Sequence, residues 1–463
     1  MIDPDIADDV EASVVDFVKQ KRWYASKGRD IRRVELEYFS RFEEHFFLCI
    51  CRFYYNDNYS ERYFIPFSLR EMGNSFITAR IGDGTGKLYD ATDDSEFVLA
   101  LTRLIMSPEK FHSQALQLRA ERTQFSEYED LSHTDVRKIT AEQSNTSIVI
   151  GNKLILKIYR KIIGAENPDY KIPVLLWQKT GFRQTPMPVG KAELDLKDTF
   201  LIATLSQYLQ GSIDGWSRFT RLLQDSLRNN ASIADALLLE DAARLGSLTG
   251  NMHAALKVIS PGDNLSFHDY SQEVMLPGIQ ANLDDISHIY SKGMGLHEHA
   301  RMNIEHLISS GPEYLERFHA IADRFQDQSL MVVHGDYHLG QVLFQEKSYY
   351  VIDFEGEPMR NASGKFILSL PYKDIAGMIR SFDYALAYSL KASNKNVPME
   401  FRISWLDQMM RQFLQSYMEK TNVVVDSELL DLFLAEKAIY ELKYELNNRL
   451  DWVGIPLTFL EKL

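Results

Sequence analysis

Two segments, MVVHGDYHLGQVLF at 331–344 and SYYVIDFEGEP at 348–358, constrain this chain more than any other feature. Each is an apolar strand that stops abruptly at charged residues, so His334, Asp336, His338, Gln341, Asp353 and Glu355 are expected to gather at one mouth. A short strand-turn-strand unit separates Asp336 from Asp353 and can bring the two carboxylates together. Carboxylates that close raise one another's pKa unless a cation sits between them. Asp353 and Glu355, at i and i+2, offer oxygen ligands of the kind that suit Mg²⁺. Turn residues capping strands would explain any one of these acids. The whole cluster of ionisable groups at strand ends points to chemistry instead.

The rest of the chain changes character along its length. From Arg33 to Thr78, aromatic and branched residues alternate with polar ones, interrupted by NDN at 56–58 and MGN at 72–74, which predicts strands joined by turns. GDGTG at 82–86 lacks the Lys-Ser/Thr of a P-loop and reads as a surface turn. SIVIGNKLILKIYR reads as a hairpin turning at Gly151 and Asn152. It places Lys157 on the second strand with Ile155 and Tyr159, opposite Leu154, Leu156 and Ile158. A polar run from Glu142 to Ser147 precedes it. From about residue 220 the spacing is helical: Leu238, Ala242, Leu245, Leu248, Met252 and Ala255 form one stripe, on a helix that also carries His253. The last long helix is predicted to start at Asp426 or Ser427 and to run towards Asn448. These patterns predict an α+β, bilobal chain, strand-rich first and helical later, with a cleft between the lobes.

The 463 residues allow a large core, and 51 basic against 65 acidic residues leave a net charge of −14. That charge disfavours nucleic acid and anionic lipid as partners. The acidic N-terminus does not resemble a signal peptide, and no apolar stretch is long enough to span a membrane. Cys49 and Cys51 share one face of a strand, too close in sequence for a useful staple. A soluble, cytoplasmic protein is expected. His297, His299 and His306 lack zinc-ligand spacing and read as solvated or packing histidines.

HGD followed by an amide five positions after Asp336, then IDF, resembles the catalytic and metal-binding motifs of the aminoglycoside phosphotransferase-like branch of the protein-kinase fold. HGDYHLGQ, IDFEGEP, KDIAGMIRSFDYA, EQSNTS, LILKIYR, NPD and KAIYELKYELNNRLDWVGIPL, spread over about 142–457, resemble the maltokinase family more narrowly. KRWYASKGR at 21–29 is similar to that family's N-terminal cap. The resemblance implies a cap at 1–90, an intermediate part of the N-lobe with the nucleotide hairpin at 91–206, and a helical C-lobe at 207–463. It implies ATP- and Mg²⁺-dependent conversion of maltose to maltose 1-phosphate, with a functional link or fusion to trehalose synthase. Asp336 would accept or orient the proton of the sugar hydroxyl, with His338 as the second catalytic candidate. Gln341 and Asp353 would hold Mg²⁺, supported by Glu355. Lys157 would pair with the α and β phosphates, and Gln143, Ser144, Asn145, Thr146 and Ser147 would cover them. Gln210, Gly211 and Trp216 match the family's hinge, where adenine would bind at Gln210.

One position departs from the family. Lys171 stands where relatives place a Glu to pair with the strand lysine, which leaves Glu166 as the nearest substitute partner for Lys157. Pro173 is expected to break the helix that Asn167 and Pro168 would start, so that it begins later. On the last helix, Lys437, Glu441, Tyr444, Asn448 and Trp452 fall at three- and four-residue spacing as one acceptor stripe, with Ala438, Leu442, Leu446 and Leu450 packing the other side. Other readings keep the fold but change the acceptor to glucosamine, an aminoglycoside or another small alcohol, or make the chain a binding module without turnover. A metal hydrolase built on His334, Asp336 and His338 leaves the nucleotide motifs unexplained.

Overall fold

The computed structural model describes all residues except 1–3, 25, 58, 83, 111–116, 127–133, 140–143, 230–231, 262–265, 294, 357–365 and 462–463. The chain divides into two compact units, with Met1–Trp177 and Pro186–Gln210 in the first, and Gln178–Thr185, Gly211–Asn361 and Phe366–Leu463 in the second.

The first unit carries two antiparallel sheets. One contains the alternating segments Ile31–Phe42 and Phe46–Tyr55, packed against helix Pro4–Lys19 through Val10, Val14, Phe17 and Val18. Cys49 and Cys51 lie in this sheet, fully buried as free thiols with their sulfurs 3.5 Å apart. The second sheet places Leu154–Ile158 between Thr146–Ile150 and Thr199–Gln207, with Lys157 opposite Ser147 on one side and Thr204 on the other. Gly151 and Asn152 both adopt positive φ, +57° and +54°, at the turn the sequence indicated. Fully buried Arg160 joins the two sheets: its guanidinium donates to Asp90 at 2.9 Å, to Thr92 at 2.6 Å and to Thr146 at 2.9 Å.

The helix after Asn167 corrects an expectation. It spans Pro168–Lys179 and continues through Pro173. Asn167 Oδ1 accepts the Asp169 N–H at 2.9 Å, and Pro168 occupies the first position, where no N–H is needed. Pro173 forfeits a single backbone bond, and burial of Ile172 and Leu176 on either side holds the helix together.

The second unit is mostly helical. The stripe from Leu238 to Ala255 is buried along helix Ser232–Ile259, which packs against helix Met399–Thr421. Gly246 makes that approach possible, since a Cβ there would meet the Phe413 carbonyl oxygen at 2.0 Å. Helix Ser427–Asn448 is capped by Asp426, whose carboxylate accepts the Glu428 and Leu429 N–H groups. It ends at Asn448, so Leu450 leaves the predicted packing side and is exposed. No helix among the described residues is long and apolar enough to cross a membrane.

Candidate active site

Helix Tyr372–Ala392 cradles the segment from His334 to Leu339 with one face of its own. Asp374 Oδ2 accepts the His334 N–H and Oδ1 the Gly335 N–H, each at 2.8 Å. One turn on, the Tyr337 carbonyl comes so close to Gly377 that a Cβ would sit 2.5 Å from its oxygen. One turn further, Ser381 Oγ accepts the Leu339 N–H at 3.2 Å. Positions 374, 377 and 381 fall at helical spacing, so one helix face fixes the backbone on both sides of Asp336. Gly335 supplies a positive φ of +85° that turns the chain between the buried His334 and the half-buried Asp336. Asp374 is itself held by His253, whose Nε2 lies 3.1 Å away while Nδ1 meets the Tyr417 hydroxyl at 3.0 Å. His253 and neighbouring positive charge keep the Asp374 carboxyl below its usual range despite burial.

Asp336 faces two cationic or polarisable groups. Lys437 Nζ lies 3.5 Å from Oδ1, and His338 Nε2 lies 3.7 Å from Oδ2. His338 Nδ1 accepts the Gly340 N–H at 3.0 Å, which assigns the ring proton to Nε2, on the side of Asp336. Burial pushes the Asp336 carboxyl up, but His338 and Lys437 outweigh it and hold the group ionised well below the usual carboxylate range.

Gln341 ends the short turn Leu339–Gln341, and strands Val342–Gln345 and Ser348–Val351 return the chain to Asp353. The Gln341 side-chain amide donates to Asp353 Oδ2 at 3.2 Å, and the Gln341 backbone carbonyl accepts the Ile352 N–H at 3.0 Å. The side-chain bond sets the Gln341 amide and the Asp353 carboxylate side by side as oxygen-bearing groups on one small platform. One carboxylate and one amide oxygen suit Mg²⁺, which keeps waters and takes its remaining ligands from phosphate. Asp353 sits at φ +65°, a conformation Asp tolerates better than most residues. Glu355 follows in the next turn, half-buried.

In the first unit, the lysine's partner differs from the expected Glu166. Lys157 Nζ pairs with Asp169 at 2.8 Å, and Glu166 pairs with Lys171 at 2.6 Å. Asp169 stands in the first turn of the helix that Pro173 failed to break, and the third letter of NPD carried the signal. The polar cover is narrower than the sequence suggested. Thr146 and Ser147 are buried within strand Thr146–Ile150, with the Thr146 hydroxyl bonded to Arg160, which leaves Ser144 exposed and Asn145 half-buried before the strand. Gln143 lies outside the described residues. Gln210 is exposed at the last position of its stretch of the first unit, and Gly211 begins the second with φ +74°. Trp216 lies in helix Gly215–Asn229, its ring tilted against Tyr388.

The acceptor stripe does not hold together as one surface. Lys437 reaches Asp336, and Glu441, one turn on, pairs with Arg380 at 2.9 Å. Arg380 is buried and also bonds Asp383 at 2.8 Å. Burial raises the Glu441 carboxyl above its usual range, against the pull of Arg380 and Lys437. Tyr444 is exposed, and Asn448 donates to the Tyr444 carbonyl at 2.8 Å. At 1.5 Å per residue, Asn448 lies about 16 Å along the helix from Lys437. Trp452 falls beyond the helix end, its ring near-parallel to Tyr384 at 6.1 Å and Tyr388 at 6.2 Å. Asp374 and Arg380, both in KDIAGMIRSFDYA, received no role from the sequence. Their signal was a charge inside an otherwise apolar helical stripe.

Residues 135–356 match the model of a phosphotransferase enzyme family. Among curated proteins, the chain is 25% identical over 342 residues to a glucosamine kinase of Streptacidiphilus jiangxiensis, covering 70% of this chain and 72% of the relative. A glucosamine kinase of Mycolicibacterium smegmatis is 22% identical over 333 residues, covering 69% and 77%. A solved glucosamine kinase structure superposes with a TM-score of 0.70 at 22% identity over 99% of both chains. Another, in complex with glucosamine, ADP and inorganic phosphate, superposes with a TM-score of 0.66 at 20% identity, covering 96% of this chain and 98% of the other. The chain therefore has the kinase-like α+β fold of those structures.

Proposed function

We propose that the protein is an ATP- and Mg²⁺-dependent kinase that transfers a phosphoryl group to a sugar hydroxyl. The carrying observation is Asp336, ionised and fixed by backbone bonds from helix Tyr372–Ala392, in the same unit as the Gln341–Asp353 platform. Phosphoryl transfer asks chiefly for positioning and charge neutralisation. Asp336 orients the acceptor hydroxyl and takes its proton. Gln341 and Asp353, supported by Glu355, supply the oxygens for Mg²⁺, which when bound neutralises phosphate charge. Lys157, steadied by Asp169, binds the α and β phosphates, with Ser144 and Asn145 beside them.

The acceptor reading that fits the geometry is a single sugar ring of the amino-sugar class, with glucosamine first. Glu441 Oε2 is held by Arg380, which leaves Oε1 for an ammonium or hydroxyl, and two relatives that match are glucosamine kinases. Maltose is the second reading, favoured by the motif KAIYELKYELNNRLDWVGIPL and its neighbours. The distance from Lys437 to Asn448 and the displaced Trp452 remove the long stripe that would have suited a disaccharide. A coupled ADP-release assay over glucosamine, glucose, maltose and kanamycin, with the phosphate position read by ³¹P NMR, separates the two. Fastest turnover of maltose would overturn the single-ring acceptor, and no ADP release with any sugar would overturn the kinase reading.

A further inference from the structure

We infer that Lys437 acts on Asp336 and not on the acceptor: its ammonium, delivered from helix Ser427–Asn448, orients the carboxylate that takes the acceptor's proton. The inference rests on the kinase reading above. It makes Lys437 a positioning residue, although its sequence pattern marked it as a sugar ligand.

The geometry carries this. Lys437 and His338 address different oxygens of Asp336, Oδ1 at 3.5 Å and Oδ2 at 3.7 Å, so they flank the carboxylate from its two sides. The Lys437 and Asp336 side chains are 19% and 22% exposed, deep enough for the pair to be screened less than a surface ion pair. The acid one turn along the same helix, Glu441, is engaged by Arg380. Among the described residues, the charged groups that act most strongly on Asp336 are His338 and His334 from its own segment and Lys437 from the last long helix. Asp374, from helix Tyr372–Ala392, is turned to the backbone of His334 and Gly335.

In the transfer, the acceptor O–H proton passes to the Asp336 carboxylate while the acceptor oxygen bonds the γ-phosphorus. The bond from that phosphorus to the β,γ-bridging oxygen breaks, and its electron pair leaves with ADP. A carboxylate free to rotate or to protonate would lose the alignment that this step needs. Lys437 restrains both. A lysine that served as a sugar donor would instead govern acceptor affinity.

The test uses the full-length protein with ¹³C-labelled aspartate carboxylates, the Asp336 signal being assigned by its absence in Asp336→Asn. In substrate-free Lys437→Met, the Asp336 titration should move to higher pH by about one unit or more, because a nearby positive charge has been removed. Lys437→Arg should restore most of the shift. In turnover, Lys437→Met should lower kcat by at least ~10-fold, most strongly on the acid side, with the KM of sugar and of ATP within about threefold of wild type. An unmoved Asp336 titration in Lys437→Met, or a sugar KM raised tenfold with kcat and its pH profile unchanged, overturns the inference. If Lys437→Met fails to fold, Lys437→Gln and Lys437→Arg are compared in the same titration. Should wild type release no ADP with any sugar, the kinase reading fails by itself, and the titration of substrate-free protein still decides whether Lys437 governs Asp336.

Discussion

Lys157 Nζ stands 2.8 Å from Asp169 Oδ2, and the Tyr159 hydroxyl donates to the same oxygen at 2.8 Å. The strand thus presents its lysine to a carboxylate from the first turn of the following helix, and Lys171 is left to pair with Glu166 at the surface. Asp169→Asn is expected to raise the KM for ATP by about tenfold and to leave the sugar KM unchanged, because a misplaced ammonium weakens phosphate binding alone. Lys171→Glu should change activity by less than about twofold, since exposed pairs contribute little. Steady-state kinetics with each substrate varied checks both.

Asp336→Asn keeps the shape of the side chain and removes its capacity to take a proton. Turnover should fall by at least ~10²-fold while nucleotide affinity, measured by calorimetry, stays near wild type. Near-normal turnover would remove Asp336 from the mechanism.

Asp353 is best tested by Asn. At φ +65° an Ala would add backbone strain of about 1 kcal/mol to the loss of charge, whereas Asn tolerates that conformation. Asp353→Asn is expected to abolish the Mg²⁺ dependence of nucleotide binding at little cost in melting temperature. Mg²⁺ dependence indistinguishable from wild type would place the metal elsewhere.

Gly377→Ala puts a methyl group against the Tyr337 carbonyl, at 2.5 Å before any adjustment. The segment carrying Asp336 must then shift by several tenths of an ångström. We expect kcat to drop about tenfold, with nucleotide affinity retained, since displacement by a fraction of an ångström costs heavily in a positioned reaction. Loss of nucleotide binding with kcat preserved would contradict this role for the helix.

Acid should unfold the protein in a defined window. Asp90, beside Arg160, and Asp374, beside His253, are both held below the usual carboxylate pKa. A depressed carboxyl contributes stability that is present above its unfolded pKa, near 4, and is lost as pH falls towards the folded value. Melting temperature followed by circular dichroism should therefore be steady from about pH 5 to 8 with respect to these groups and fall below about pH 4. In Asp90→Asn the buried Arg160 charge loses its partner, and a destabilisation of about 3–5 kcal/mol is expected already at pH 7.

Much of this was legible in the linear chain, because the signals are local. Period-two alternation in Ile31–Phe42 and the aromatic and branched run Phe46–Tyr55 place both segments in a sheet, the stripe from Leu238 to Ala255 makes a buried helix, and Asp426 caps the last one. Gln341 and Asp353 flank a short apolar hairpin, so the bond between them follows from a turn that the sequence encodes within about a dozen residues. The tertiary structure decided what depends on residues far apart in the chain. Asp169 rather than Glu166 meets Lys157 because a helix tolerates Pro173 when its apolar side is buried. Asp374, Gly377 and Ser381 hold the backbone around Asp336 across some forty residues, a bond pattern invisible to periodicity. On the last helix, equal spacing promised one continuous surface from Lys437 to Trp452. Packing against helix Tyr372–Ala392 sent Lys437 to Asp336, Glu441 to Arg380 and Trp452 to Tyr384, since charges and rings settle on the partners that folding brings within reach.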